Sequence, residues 1–140
     1  MHLDVTDAES IQQAAEWIEA EYGRLDVLVN NAGIARVARR GYPPSQTSLE
    51  DMRAVDEINV FGVVAVTNAM LPLLRRAPAA RIVNVSSEVG SITAQSDPVH
   101  ALLLPPSVQY PSSKAALNMI TVMYAKELRD TPIKVNAASP

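Results

Sequence analysis

The chain has 140 residues, 48% of them hydrophobic and 19% charged, and carries a net charge of −3 at pH 7. This composition is typical of a folded globular domain and argues against a disordered chain or a nucleic-acid-binding protein, which usually needs a basic surface. The absence of cysteine excludes disulfides, thiol chemistry and cysteine-ligated zinc. Because neither a targeting signal nor a His, Asp and Glu cluster with metal-site spacing is visible, we predict a cytoplasmic protein without metal, nucleic-acid or membrane partners.

The first predicted element is an amphipathic helix over residues 7–22. Thr6 and Glu9 form the pattern of a capping box, which places Thr6 at the N-cap and Glu9 at the third helical position. Gly23 follows the helix and is a suitable residue for ending it. Apolar residues recur at helical spacing between these two signals: Ile11, Ala14, Ala15, Ile18 and Tyr22.

A short strand comes directly after this helix. Residues 25–29 are apolar and β-branched, and they stop at the sequence NNAG, residues 30–33. Such a pattern is typical of a buried strand that ends in a turn. Residues 34–47 contain several arginines and prolines and predict an exposed loop.

The second helix begins with another capping pattern at Ser48. It is predicted to run over residues 49–76, and Pro72 can end or kink it early. Residues 81–87 then read Arg-Ile-Val-Asn-Val-Ser-Ser and predict a second buried strand.

The last third of the chain contains a long connection, a helix and a strand. Residues 88–109 are predicted as a loop, and a loop of this length and apolarity is more often functional than idle. A helix over residues 110–130 and a strand over residues 133–138 follow.

Helices and strands therefore alternate three times along the chain, which predicts an α/β fold. Buried strands separated by long helices imply right-handed crossovers and a parallel sheet, and ligands of such sheets bind beyond the carboxyl ends of the strands. The three strands end at residues 30–33, Ser86-Ser87 and Ser139-Pro140. The unusual polar residues thus fall at one edge of the predicted sheet.

Tyr110 and Lys114 are the first candidate pair for chemistry. Four residues apart, they lie on one helical face, and a lysine charge and a helix N-terminus both favour a phenolate. Such a pair could protonate a carbonyl oxygen or deprotonate an alcohol. By spacing alone, a tyrosine packed on a lysine stem is the commoner arrangement.

Ser87 and Asn59 are further candidates. Ser87 ends a strand, where its hydroxyl could donate to a substrate oxygen, or it could simply cap the following turn. Asn59 lies within an apolar stretch of the second helix, and an asparagine is costly to bury there without a partner. It could make a structural hydrogen bond, or it could orient Lys114 directly or through water. Residues 30–33 could approach a ligand closely or could form only a tight turn.

Six motifs together resemble the short-chain dehydrogenase/reductase family over nearly the whole chain. Leu3-Asp4-Val5-Thr6-Asp7 is similar to the segment after that family's third strand, and residues 30–33 match its NNAG motif. The NNAG form favours the compact oxidoreductase branch over the extended epimerase and dehydratase branch. The other matching positions are the helix asparagine Asn59, the serine Ser87, the YxxxK motif Tyr110–Lys114, and residues 135–140.

The resemblance implies a role for each matching residue. Tyr110 would be the general acid or base, Lys114 would assist it and hold the nicotinamide ribose, and Ser87 would polarise the carbonyl. Asn59 would hold a water in a proton relay to Lys114. The dinucleotide would be bound by Asp4, Val5, Asn31, Ala32, Gly33, Tyr110, Lys114 and Pro140.

Two departures from the family pattern qualify the resemblance. The family's first two strands and glycine-rich phosphate loop have no counterpart here, so we expect residues 1–140 to form one partial NAD(P)-binding Rossmann-like domain, truncated at both ends. Residues 92–108 resemble an insertion of carbonyl-reductase-like members, which would shape the substrate pocket, and the alternative is a surface excursion.

The leading hypothesis is an NAD(P)-dependent oxidoreductase that interconverts a ketone or aldehyde and an alcohol, with NADP slightly favoured over NAD. At full length it would be a homodimer or homotetramer. The alternative is an inactive fragment that serves as an oligomerisation or interaction module.

Overall fold

The computed structural model describes residues 1–36, 43–101 and 107–140. Helices and strands alternate as the sequence predicts. The longer elements are α1 (Ala8–Tyr22), β1 (Val27–Asn30), α2 (Leu49–Asp56), α3 (Val63–Leu74), β2 (Arg81–Val85), α4 (Ile92–Ser96), α5 (Pro98–Ala101), α6 (Gln109–Glu127) and β3 (Lys134–Ala138). A π-helical segment, Glu57–Gly62, joins α2 to α3, and short 3-10 helices form at Pro44–Gln46 and Glu88–Gly90.

The three strands form a parallel sheet in the order β1-β2-β3, which confirms the predicted α/β class. In the register, Asn30 pairs with Asn84, and Val85 pairs with Ala138. The carboxyl ends of the strands therefore meet at one edge. The core is built from apolar side chains of α1, α3 and β2 and of the connection between α6 and β3, and it includes Ile11, Ala14, Val66, Met70, Leu73, Leu74, Ile82, Leu128 and Ile133.

The prediction of buried strands is wrong for the two outer strands, since two of the four residues of β1 and four of the five residues of β3 are exposed. Val27 and Val29 of β1 are each 53% exposed, whereas Asn30, Ile82 and Asn84 are buried. Exposure alternates because successive side chains of a strand point to opposite faces, and the packed helices cover only one of those faces.

Helix α1 begins one residue later than its sequence pattern indicates. The N-cap is Asp7, whose carboxylate accepts a hydrogen bond from the Glu9 amide, and not Thr6. The Thr6 hydroxyl and amide both donate to Asp4 Oδ1, at 2.7 and 2.9 Å, which holds Thr6 in the turn that precedes the helix. Gly23 ends the helix as predicted, with a φ of 69° and an amide that donates to Glu19.

The second helix continues past Pro72, and it is less regular than its sequence predicts. Ser48 caps it as predicted, accepting from the Asp51 amide at 3.2 Å. Pro72 lies inside α3 without ending it. The π-helical segment was not predicted, and it places Asn59 at the centre of the helix, fully buried. Such segments are frequent at functional sites.

The predicted loop over residues 88–109 is partly helical. A 3-10 turn comes first, and Ser91 then caps α4 by accepting a hydrogen bond from the Ala94 amide. Proline suits the first position of α5 because its missing amide proton is not needed there. Residues 102–106 of this connection, and residues 37–42 of the earlier predicted loop, lie outside the described residues.

The continuous helix Leu49–Leu74 is long and apolar enough to cross a membrane by length and composition alone. Of its most apolar window, 44% is buried against the rest of the chain, and the core helices of water-soluble proteins also meet this criterion. The absence of a membrane partner stays a prediction.

A chain of buried polar side chains ties the sheet to its helices. Asn30 Nδ2 donates to Asn84 Oδ1 at 2.8 Å and to the Thr67 hydroxyl at 3.1 Å. Asn84 Nδ2 donates in turn to the Thr121 hydroxyl of α6 at 2.8 Å. All four side chains are buried, so each depends on the others for its hydrogen bonds.

We expect Asn84→Ala to lower the free energy of unfolding by about 1–3 kcal/mol, because it leaves buried donors and acceptors without partners. Urea unfolding measures the change. The matched control is Asn136→Ala on the neighbouring strand, which is exposed and should change the stability by less than about 0.5 kcal/mol. Equal effects of the two substitutions would contradict a stabilising role for the buried network.

Candidate active site

Tyr110 and Lys114 lie on one face of the first turns of α6. The Lys114 ammonium nitrogen is 5.5 Å from the centre of the Tyr110 ring. Only 4% of Lys114 is exposed, and Tyr110 is half-buried. The ammonium group thus lies over the aromatic ring, and the lysine is the more deeply buried of the two residues.

The Lys114 ammonium also reaches the end of the central strand. Its Nζ donates to the Val85 carbonyl oxygen at 2.7 Å. Burial lowers the pKa of Lys114, because desolvation disfavours the charged amine. The hydrogen bond to Val85 therefore anchors α6 against the carboxyl end of β2.

Asn59 connects the loop after β1 to the same helix. Its Oδ1 accepts from the Ile34 amide at 2.9 Å, and its Nδ2 donates to the Ile34 carbonyl at 2.9 Å and to the Ser113 hydroxyl at 3.0 Å. The Ser113 hydroxyl donates to the Tyr110 carbonyl at 2.8 Å. Asn59 thus makes the structural hydrogen bonds weighed from the sequence, and its part in a water relay stays a prediction.

Gly33 brings the NNAG turn next to this cluster. A methyl group on Gly33 would lie 3.3 Å from Asn59 Oδ1 and 3.7 Å from Lys114 Nζ. A side chain at this position would therefore enter the space in front of the lysine. The glycine keeps the backbone close to the ammonium group while leaving that space open.

The residues predicted to bind the adenosine line two cavities at the same edge of the sheet. One, of about 420 Å³, lies between the segment His2–Thr6 and residues 32–34, with Ile58 in its wall. The other, of about 180 Å³, is bordered by Val5, Asn31, Ala32 and Gly62 among others. The structure thus brings Asp4, Val5, Asn31, Ala32 and Gly33 together around one concave surface.

Asp4 is exposed, and its carboxylate is oriented by Thr6. Its Oδ1 accepts from the Thr6 amide at 2.9 Å and from the Thr6 hydroxyl at 2.7 Å. These hydrogen bonds lower the pKa of Asp4, because they favour the charged form. Its backbone amide donates to the Ser10 hydroxyl at 2.9 Å, which fixes the segment to α1.

Ser87 and Pro140 lie at the ends of neighbouring strands. Ser87 is half-buried and extended, directly before the 3-10 turn Glu88–Gly90. The preceding Ser86 amide donates to the Ala138 carbonyl at 2.7 Å. Pro140 lies two residues beyond that carbonyl and is exposed. Both residues therefore share the sheet edge with the Tyr110 cluster.

Sequence reasoning missed several residues that build this site. Ser113 links Asn59 to the Tyr110 backbone, and no role was predicted for it from the sequence. Asn84 and Asn30 occupy apolar strand contexts, which is the same signal that singled out Asn59. Asn118 contacts the segment around Ser87, and nothing in its local sequence pattern indicates that contact.

Burial of Lys114 predicts a pH-dependent stability. Its pKa in the folded chain lies below the ordinary value of 10.5, so between these two values the unfolded chain binds more protons. The free energy of unfolding should therefore rise with pH across this window. Urea unfolding of the chain and of Lys114→Met between pH 7 and pH 10.5 tests this. Parallel profiles for the two proteins would rule out the effect.

The whole chain matches a family model. The model described as short chain dehydrogenase covers residues 1–140. A short-chain dehydrogenase/reductase of Aspergillus fumigatus is 41% identical over 125 residues, which are 86% of this chain and 45% of that protein. The 3-oxoacyl acyl-carrier-protein reductase FabG of Thermotoga maritima is 38% identical over 99% of this chain and 50% of its own.

A solved structure shows the same fold at high similarity. The NADPH-bound carbonyl reductase from chicken fatty liver has a TM-score of 0.86 and 33% identity over 99% of this chain and 55% of its own. The chain spans about half the length of the relatives it matches. Its three-stranded sheet corresponds to part of their Rossmann fold. From the family model and these similarities together, the chain belongs to the short-chain dehydrogenase/reductase family.

Proposed function

We propose that this chain carries the carbonyl-reducing half of an NAD(P)-dependent oxidoreductase that interconverts a ketone or aldehyde and an alcohol. The observation that carries the proposal is the placement of Lys114. Its buried ammonium touches the end of β2, lies over the Tyr110 ring and faces the NNAG turn at Gly33. A lysine charge so placed favours the phenolate that proton transfer requires.

Tyr110 would give a proton to the carbonyl oxygen during reduction and would take it back from the alcohol during oxidation. Ser87 would donate a hydrogen bond to the same oxygen and polarise the carbonyl. Asn59 would hold a water that passes protons to Lys114. When bound, the dinucleotide supplies the hydride, and the protein supplies position and the proton.

The described residues fit a dinucleotide at the sheet edge. The cavity of about 420 Å³ has an exposed, oriented carboxylate at Asp4, and small residues, Ala32 and Gly33, form part of its wall. In our proposal Asp4 and Val5 contact the adenine, residues 31–33 the adenosine ribose, and Tyr110 and Lys114 the nicotinamide ribose. Pro140 would close the nicotinamide end.

The NADPH-bound carbonyl reductase supports the slight preference for NADP over NAD in this proposal. Its name also makes ketones and aldehydes the first substrates to test. A small-molecule carbonyl or alcohol substrate would enter next to Tyr110.

A second candidate function is self-association, with or without catalysis. An apolar groove of about 520 Å³ runs between α3 and α6. Met119 and Met123 in this groove are 59% and 46% exposed, which is costly for an isolated chain. We expect a second copy to cover the groove in a homodimer or homotetramer. Its lining is Val64, Asn68, Ala116, Met119, Ile120, Met123, Tyr124 and Glu127.

Isothermal titration with NADPH and NADH tests the cofactor assignment. We expect saturable binding, tighter for NADPH, and a loss of that binding in Gly33→Leu. A leucine would fill the space in front of Lys114, where even a methyl group lies 3.7 Å from the amine. Saturable binding of neither dinucleotide would contradict the assignment for this chain.

Tyr110→Phe tests the proton transfer. With a ketone or aldehyde that the unmodified protein reduces, the substitution should lower kcat by about 10²-fold or more, because it removes the proton donor. The control is Tyr22→Phe on α1, where the tyrosine is 67% exposed, and it should leave kcat unchanged. Full activity of Tyr110→Phe would remove Tyr110 from the mechanism.

Met119→Glu tests the self-association. A carboxylate in the middle of the apolar groove is costly to bury, so the substitution should shift the molar mass measured by light scattering from oligomer to monomer. A monomeric unmodified chain, or an oligomer that persists in Met119→Glu, would count against this surface.

A further inference from the structure

The segment that carries Ser87 is attached to α6 on both sides of the serine. Before it, the Ser86 hydroxyl donates to Asn118 Oδ1 at 2.6 Å. After it, Asn118 Nδ2 donates to the Gly90 carbonyl at 3.3 Å. One amide side chain of α6 thus bridges the two ends of the turn 86–90, and Ser87 lies between its anchor points.

Gly90 adds a close backbone contact to this bridge. A methyl group on Gly90 would lie 2.7 Å from the carbonyl carbon of Lys114 and 2.9 Å from the amide nitrogen of Ala115. Both are backbone atoms of a helix and cannot move aside independently. Any side chain at position 90 would therefore push the turn away from α6.

The helix makes this attachment relevant to the site. Tyr110, Lys114 and Asn118 follow each other at intervals of four residues, so they lie along the same side of α6. Lys114 also bonds to Val85, the last residue of β2, directly before the turn. The first half of the helix therefore carries both the proposed proton donor, Tyr110 in its first turn, and the clamp on the turn, Asn118 two turns later.

We propose that Asn118 is a positioning residue that, with Gly90, holds the Ser87 hydroxyl in place relative to Tyr110 and Lys114. This inference rests on the proposed function for its catalytic consequence and on geometry alone for the clamp. Asn118 does not reach the reacting atoms. It acts by fixing the turn, and a misplacement of about 1 Å can cost about 10²-fold in rate.

Hydrogen exchange followed by NMR tests the clamp without cofactor or turnover. The Gly90 and Ser91 amides donate within the turn, to Ser87 and Glu88. In Asn118→Leu, we expect their exchange to accelerate by about tenfold or more, as for a locally opened segment. The Arg81 and Lys134 amides, at the opposite ends of the strands, should change by less than about twofold. Unchanged exchange at Gly90 and Ser91 would overturn the clamp.

Kinetics of the active protein test the catalytic consequence. Asn118→Leu and Gly90→Ala should lower kcat by about 10- to 10²-fold and leave the KM for NADPH within about twofold. Ser86→Ala removes only one anchor, so it should have a smaller effect, and it provides the test if the leucine variant does not fold. The control Gln12→Leu replaces an exposed amide of α1 and should change neither measurement.

The outcomes of the two experiments separate the two proposals. Faster exchange in the turn with an unchanged kcat would show that the position of Ser87 does not depend on Asn118, and would overturn the positioning role. If the unmodified protein reduces no carbonyl with either dinucleotide, the proposed function fails. The exchange experiment then decides the clamp by itself.

Discussion

The buried ammonium of Lys114 is the constraint on which the rest of the site depends. A charged amine withdrawn from water is costly, and the hydrogen bond to the Val85 carbonyl offsets part of that cost only if α6 lies directly against the carboxyl end of β2. This packing of α6 against β2 places Tyr110, in the first turn of the helix, beside the same amine. It also brings Gly90 so close to the Lys114 backbone that a methyl group there would lie 2.7 Å from the Lys114 carbonyl carbon.

Uncharged polar side chains extend this arrangement through the core. The pair Asn84 and Thr121 joins α6 to the central strand, and the pair Asn59 and Ser113 joins it to the π-helical segment. Buried amides and hydroxyls stabilise only when all of them are paired, so each link fixes the position of the next. This network fixes the candidate site residues at the strand ends and on the helices relative to one another.

Sequence periodicity and spacing were sufficient to predict the parallel α/β fold, the Ser48 cap and the shared helical face of Tyr110 and Lys114. They could not predict contacts between residues that are far apart in sequence. Asn59, in the π-helical segment, bonds to Ile34, 25 residues earlier, and Asn118 bonds to Gly90, 28 residues earlier. The N-cap prediction was wrong by one residue, because the Asp7 carboxylate accepts from the Glu9 amide while two hydrogen bonds to Asp4 hold Thr6 in the preceding turn.

The most direct test of the account is the NMR titration of Lys114 with ¹³C-labelled lysine, in the absence and presence of NADPH. The exposed residues Lys126 and Lys134 serve as references for the response to the dinucleotide. The account predicts that Lys114 titrates below the ordinary lysine value of 10.5 and that NADPH shifts its resonance alone. A Lys114 that titrates at the ordinary value and does not respond to NADPH would contradict it.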